Sequence, residues 1–338
     1  MKVVITGVAG FLGSNLARAL LALEHQVVGV DNLSQGTVLN LEAILEHPAF
    51  SLCEIDILDR PSVLQAAAGC DAIVHLAAYK IPRYTDALDT LRTNGFGSES
   101  VIEAAVANKA KIVAASTSDV YGKNPELPFS ERSDLVVGNP SVRRWAYAIS
   151  KMFEEQLLFA YHERHGIDFV LLRFFGGYGP GQHLSWWGGP QSVFIDCALD
   201  NRALEIHGDG QQTRSFTYVS DHIDGIVRAL LDQRANNRVI NLGNTEEITI
   251  EALGRLIWRL VRGPDEPARL TLIPYETFGK YEDVRRRVPD ISLARELLGF
   301  TPRVDLETGL KKTIQWQVAR RQRLFGAEAG AVAGNTRT

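Results

Sequence analysis

Three cysteines in 338 residues, Cys53, Cys70 and Cys197, make neither a disulfide framework nor a metal-ligand spacing. That scarcity points to a reducing compartment. No apolar run reaches the length needed to cross a bilayer. The first strand starts at residue 2 and leaves no room for a signal peptide, so a cytoplasmic protein is expected. Positive charge is not in excess: 36 Lys and Arg against 40 Asp and Glu give a net charge of −4, without the basic footprint of a nucleic-acid binder. Internal repeats are absent. What remains is ordinary for a globular protein, 45% hydrophobic and 22% charged, and long enough to bury a large core in two lobes.

Lys2-Val-Val-Ile-Thr6 reads as a short buried strand, and Ser14 to Leu21 has helical periodicity. Between them lies Gly7-Val-Ala-Gly10-Phe11-Leu12-Gly13, in the strand–turn–helix context of a dinucleotide-binding loop. Gly7 allows a tight turn, Gly10 lets backbone approach a pyrophosphate, and Gly13 lets helix pack on strand. The helix N-terminus then faces the phosphates with free amides. The spacing is Gly-x-x-Gly-x-x-Gly rather than the commoner Gly-x-Gly-x-x-Gly. A second strand, Gln26 to Val30, ends at Asp31, followed by Asn32. An acid there accepts hydrogen bonds from ribose hydroxyls and repels a 2′-phosphate, so NAD is expected rather than NADP. Asp56, before Ile57 at the end of a third strand, has two readings. It could hold the adenine amino group or cap a helix starting near Pro61.

Tyr147 and Lys151 lie four residues apart in Trp145-Ala-Tyr-Ala-Ile-Ser-Lys151, on one face of a helix. An ammonium beside a phenol stabilises the phenolate, so the Tyr147 pKa is expected to fall and Tyr147 to take a proton from an alcohol. A strand from Lys111 runs into Ser116-Thr117-Ser118-Asp119-Val120-Tyr121-Gly122, placing hydroxyls where a doubly wound sheet binds ligands. Strands and helices alternate from residue 2 to about 173, which predicts an α/β fold with a parallel sheet and helices on both faces. A long Gly-Pro-Trp-rich stretch, Gly179 to Gln191, follows and reads as a functional loop. Val239 to Leu242 returns to the sheet. The expected division is 1–175 plus about 215–245 as the dinucleotide domain and about 176–214 plus 246–325 as a smaller lobe. A disordered tail, 326–338, is expected to follow.

With these motifs, His75-Leu-Ala-Ala78, Thr93-Asn94 and Arg173-Phe-Phe-Gly-Gly-Tyr-Gly-Pro180, the chain resembles the extended short-chain dehydrogenases/reductases. Within them it resembles the nucleotide-sugar epimerase, dehydratase and decarboxylase group, over roughly residues 1 to 320. The resemblance implies a Rossmann-like doubly wound sheet with a C-terminal substrate-binding lobe. It implies that Thr117, Tyr147 and Lys151 are catalytic, and that Leu76, Ala77 and Ala78 line the cofactor. Lys80 is placed near the cofactor or the sugar phosphates. Arg214, in Gly208-Asp-Gly-Gln-Gln-Thr-Arg214, matches an arginine that grips the diphosphate of a UDP-sugar. A second basic segment, Arg285-Arg286-Arg287, supplies another, with Arg287 favoured by its spacing to Pro289-Asp290. Ser118, Asp119, Gly176 and Gln191 complete the expected sugar site. Trp186 and Trp187 either stack on uracil or fill the lobe interface. The stretches Gly95 to Asn108 and Trp145 to His165 match helices that pair into a four-helix bundle, implying a homodimer.

The resemblance also ranks the chemistry. Dehydratases carry Asp-Glu directly after the threonine, where this chain has Ser118-Asp119. Decarboxylases carry Thr-Ser-Glu, one methylene longer than Thr117-Ser118-Asp119, and Arg144-Trp145 resembles one branch of them. Gly176-Gly177 stands where many relatives have asparagine or threonine, and reads as room for a keto sugar to turn. The expected reaction is 4-epimerisation of UDP-glucuronate to UDP-galacturonate. UDP-glucuronate decarboxylation and UDP-glucose 4-epimerisation are the alternatives.

Overall fold

The central strands of the chain, such as Lys2–Thr6 and Ala72–His75, are largely apolar and buried because both faces of their sheet are covered. The computed structural model describes residues 1–80, 86–280 and 282–334, the last ten by backbone alone. Its strands are β1 Lys2–Thr6, β2 Gln26–Asp31, β3 Phe50–Glu54, β4 Ala72–His75, β5 Lys111–Thr117, β6 Phe169–Phe174, β7 Gly177–Tyr178, β8 Leu204–His207, β9 Thr213–Ser215, β10 Thr217–Tyr218, β11 Arg238–Leu242, β12 Glu247–Thr249 and β13 Leu270–Ile273. Its helices are α1 Phe11–Ala22, α2 Arg60–Ala66, α3 Ala87–Arg92, α4 Ser98–Asn108, α5 Trp145–His165, α6 Pro190–Leu199, α7 Val219–Leu231, α8 Ile250–Arg262, α9 Ser292–Leu298 and α10 Leu306–Gly334.

Seven strands form one parallel sheet in the order β11-β6-β5-β4-β1-β2-β3. The order reverses beside β1. That switch point sets the turns after β1, β4 and β5 together at the carboxyl edge of the sheet, where such folds bind ligands. Side chains alternate between two cores, as the pleat requires. Val3 and Ile5 join Leu16 and Leu20 of α1 and Ile226 of α7, while Val4 joins Ile73, Ile102 of α4 and Leu158 of α5. Burying each of these side chains contributes about 2 kcal/mol.

Outside the sheet, β8 pairs with β13 and β9 with β12, and α6 packs against α8. β11 then rejoins the sheet beside β6, so the second lobe is built from segments interleaved with the first. Two expectations differ from the structure. A π-helical turn, Thr93–Gly97, precedes α4, so that helix starts at Ser98 rather than Gly95. The segment from residue 326, expected to be unstructured, continues α10 as far as Gly334, four alanines alternating with three glycines, a glutamate and a valine. Residues 335–338 lie outside the described residues. Among the described residues, no helix is long and apolar enough to cross a membrane.

Candidate active site

The turns at the sheet's carboxyl edge open into one cavity of about 820 Å³. Backbone builds its first end. Gly7 has φ +72°, and a Cβ on Gly13 would lie 2.1 Å from the Gly7 carbonyl oxygen, so only glycine lets α1 start this close to the turn. No side chain caps that helix start at Gly10 and no acid sits in its first turn. Its amides therefore suit a diphosphate. Phe11, Leu12 and Gly13 line the cavity beside Asp31, Asn32, Ile57, Leu76, Ala77, Ala78 and Lys80.

Asp31 is held by backbone. Its carboxylate accepts from the amides of Ala9 (2.9 Å) and Leu33 (2.8 Å). Burial raises its pKa, and these two bonds pull it back. Asp56 does not cap the helix near Pro61, the second of its readings. It accepts from Asn32 Nδ2 at 2.9 Å and from the Leu58 amide, while Asp59 caps α2. Its neighbours Ile55 and Ile57 line the cavity, and Asp56 does not.

The second end of the cavity is built by side chains. Thr117 closes β5 and hydrogen-bonds Tyr147 on α5. Tyr147, Lys151, Thr117, Ser118 and Asp119 share the wall. The expected fall of the Tyr147 pKa is corrected: it is raised, first by burial, then by the negative charges of Asp119 and Glu154, against the Thr117 hydrogen bond and Arg287. Burial leads, and one of the charges belongs to a partner of Lys151 that the Tyr-x-x-x-Lys spacing does not show. Lys151 Nζ sits 2.7 Å from Glu154 Oε2, and both side chains are 1% exposed. The ammonium is already neutralised.

Asp119 pairs with Arg287 at 2.9 Å and Arg144 at 3.0 Å. Burial would raise its pKa, but Arg287, Arg144 and Arg214 outweigh that and lower it. Arg144 also reaches Asp283 (3.1 Å) and the Glu282 carbonyl (2.7 Å), and Arg214 reaches Asp283 at 2.8 Å. The Tyr275 hydroxyl donates to Asp283, whose pKa lies far below the usual range because the arginines outweigh its burial. Of the three consecutive arginines, Arg285 pairs with Asp209 and Arg286 with Glu247 at the surface, while Arg287 lines the cavity. Arg214, Arg144 and Asp283 do not line it.

Gly176 and Gly177 line the cavity, but their smallness has a packing cause. Gly176 has φ +37°, and a Cβ there would lie 2.1 Å from the Ser215 carbonyl oxygen; one on Gly177 would meet His222 at 3.0 Å. Packing alone therefore requires glycine at 176, whether or not a sugar turns beside it. Gln191, at the start of α6, is buried on the cavity wall, and its Nε2 has no partner among the described residues. Trp186 stacks on His207 with ring centroids 4.4 Å apart, whereas Trp187 lines the cavity edge-on to Tyr79. Sequence reasoning missed Asp283, Tyr275 and Glu154 as parts of this site. Only Glu154 carried a signal, its three-residue spacing from Lys151.

An uncapped helix after a glycine turn, an aspartate ending β2, and a Thr–Tyr–Lys set across the cavity define a dinucleotide-dependent enzyme acting at an alcohol carbon. The chain belongs to the NAD-dependent epimerase/dehydratase family, whose model matches residues 3–243, and NAD is its cofactor. It is 35% identical to a UDP-N-acetyl-alpha-D-glucosaminuronate decarboxylase of Bacillus cytotoxicus, over 93% of this chain and 97% of that one. It is 37% identical to UDP-glucuronic acid decarboxylase 1 of Xenopus tropicalis, over 93% of this chain and 72% of that one. Among solved structures, a UDP-glucuronic acid 4-epimerase from Bacillus cereus, in complex with UDP-glucuronic acid and NAD, matches with TM-score 0.85 at 28% identity, covering 94% of this chain and 99% of that one.

Proposed function

We propose that this enzyme oxidises a UDP-uronic acid at C4 and releases its carboxyl group as carbon dioxide. The observation that carries the reading is Asp119, held between Arg144 and Arg287 in the same cavity as the Thr117–Tyr147 pair. Bound NAD supplies a reversible acceptor for the C4 hydride. Tyr147 takes the proton of the C4 hydroxyl while Thr117 hydrogen-bonds the same oxygen. A C4 ketone makes the sugar a β-keto acid, so its bond to the carboxyl carbon breaks with the electron pair moving toward the ketone oxygen. Arg287, which lines the cavity, holds the uronate carboxylate. Asp119, fixed by Arg144, orients the Arg287 guanidinium and relays to C5 the one proton that the reaction consumes. Tyr147 then gives its proton back to the C4 oxygen as the hydride returns to C4, leaving a UDP-pentose. Lys80 serves the diphosphate and Gln191 the uridine end, while Arg214 steadies Asp283.

The likeness to decarboxylase relatives over nearly the whole chain supports this order of readings. The 4-epimerase neighbour supports the second, in which the keto sugar turns and takes its hydride back on the other face. The two share every step up to the ketone. Purified protein is to be incubated with UDP-glucuronate, or with UDP-N-acetylglucosaminuronate, labelled with ¹³C at C6. Labelled carbon dioxide and a UDP-pentose are expected; a UDP-galacturonate-type product that keeps its carboxyl would establish the epimerase instead. Tyr147→Phe is expected to lower turnover by about 100-fold or more while retaining NAD and substrate binding.

We read the assembly as a homodimer. Leu88, Leu91, Phe96, Ile149 and Phe153, on or beside α3, α4 and α5, are all exposed, with Phe96 at 62%.

A further inference from the structure

One face of α10 is sealed for most of its length. Leu310, Thr313 and Gln317 are fully buried along it, and Gln317 Nε2 donates to the Ser192 carbonyl at 3.0 Å. Steps of three and four residues continue that stripe to Arg320 and Leu324. There the core has ended, and both residues stand on the wall of the cofactor cavity. Arg321, the next along the helix, pairs with Asp200 at 2.5 Å and Asp196 at 3.3 Å, which ties α10 to α6 of the second lobe. Arg323 reaches Glu42 of the first lobe at 2.7 Å. The helix thus joins the two lobes beside the loop after β2, whose Ser34, Gly36, Thr37, Leu39 and Asn40 share the cavity wall.

Among the described residues, the lysines and arginines of that wall are Lys80, Lys151, Arg287 and Arg320. Lys151 is matched by Glu154 and Arg287 by Asp119, while Lys80 feels Asp119 and Arg287. These three belong to the substrate end. Arg320 makes no hydrogen bond or ion pair among the described residues. Burial leads in holding its pKa down, Glu42 opposes and Arg323 adds. Glu42, the acid that bears on it, is already engaged by Arg323. The cofactor end has to accept the doubly charged diphosphate of NAD. The start of α1 offers it about half a positive charge. Asp31, beside it, brings a negative one. A further cation is needed to balance that end. Leu39 and Leu324, each 39% exposed on the same wall, add apolar surface that a bound nucleotide covers.

We propose that Arg320 is a cofactor-binding residue, its guanidinium pairing with the diphosphate of NAD, so that the second lobe as well as the first holds the cofactor. A planar fork of donors suits phosphate oxygens, and a partly buried site strengthens the pairing. The consequence for the lobes follows from how α10 is held. It is fixed where Gln317 and Arg321 meet α6, and loosely tied where Arg323, 63% exposed, meets Glu42, since an exposed pair contributes little. NAD on Arg320 adds a link at that loose end. This role rests on NAD as the cofactor, and it holds whether the C4 ketone loses carbon dioxide or takes its hydride back.

The test is calorimetric titration of the full chain, stripped of nucleotide, with NAD, ADP-ribose and UDP. Arg320→Gln is expected to weaken NAD and ADP-ribose by about tenfold, the scale of one charge-assisted hydrogen bond, and to leave UDP at the parent's affinity. Arg320→Lys recovers part of the loss and Arg320→Glu deepens it, and raising the salt concentration narrows the gap between parent and Arg320→Gln. The melting temperature of the nucleotide-free protein stays at the parent's value. Should Arg320→Gln lower it, the order of Lys, Gln and Glu in NAD affinity still reads the charge. NAD affinity in Arg320→Gln equal to the parent's, or an equal loss for UDP and ADP-ribose, would leave Arg320 a rim residue with no part in holding the cofactor. A parent chain that binds no NAD would instead remove the cofactor itself from the account.

Discussion

The two ends of the cavity are made by different means. At the cofactor end, the Gly7–Gly13 turn and Asp31 are set by backbone: a positive φ, a carbonyl where a Cβ would be, and two amides on one carboxylate. At the substrate end, Asp119, Arg144 and Arg214 come from three separate segments, Asp283 and Arg287 from a fourth, and all hold one another by charge. The first tolerates almost no change of shape. The second distributes its charges over shared partners, so the loss of one side chain leaves the others engaged.

Gly13→Ala probes that difference with the largest effect. Its methyl group has to displace the Gly7 carbonyl, so destabilisation of about 1–3 kcal/mol and a loss of NAD affinity of about 100-fold or more are expected. Thermal melting and NAD titration check both. An alanine that binds NAD like the parent would break the contrast at its rigid end.

Less is expected from single changes in the charge cluster. Arg144→Gln leaves Asp119 its Arg287 partner, and Asp119→Asn leaves Arg144 its Asp283 partner. The two changes are expected to be non-additive, with a coupling of about 1–3 kcal/mol in kcat/KM across a double-mutant cycle. Strict additivity would show that the two side chains act separately.

Acid separates the two ends further. Beneath the cofactor turn, His75 is held down at about 3, and His222, beside Gly177, is held at about 4 by burial. Between the ordinary histidine value and those values the unfolded chain binds protons that the folded chain does not, so stability falls as pH drops through that window. Each histidine contributes a slope of about 1.4 kcal/mol per pH unit there. Asp283 and Asp119, whose pKa values are lowered, keep their charge through the same range and lose their contribution only in stronger acid. Urea midpoints measured from pH 7 to pH 4 are expected to decline, and His222→Asn to flatten part of that decline. An unchanged slope in the variant would remove His222 from the account.

The smallest effect on the chemistry is expected from Phe153→Glu on the exposed face of α5. Light scattering of the parent at micromolar concentration is expected to report a dimer and that of the variant a monomer, with both cavity ends intact by NAD titration. A monomeric parent would sink the dimer reading.

The contrast also governs what could be read before folding. The cofactor end was legible because its determinants are local: a strand, three glycines and an acid at the end of the next strand, each acting through its own backbone. The parallel sheet was legible for the same reason, from short apolar runs alternating with helical ones. Thr117, Tyr147 and Lys151 were legible as motifs, but the charge state of Tyr147 was not. It depends first on burial, then on Asp119 and Glu154, and the approach of Asp119 depends on where the second lobe brings Arg287.

By itself the sequence determined the elements, the switch point and the cofactor edge, since backbone turns and strand periodicity are set by neighbours in the chain. Only tertiary structure decided which charges meet. It gave Lys151 to Glu154, turned Asp56 toward Asn32, set Asp283 between Arg144 and Arg214, and made Gly176 a packing glycine against Ser215. The physical reason is range. Sterics and hydrogen bonds along a chain act over a few residues, whereas burial and Coulomb interaction act between whatever side chains the fold brings together.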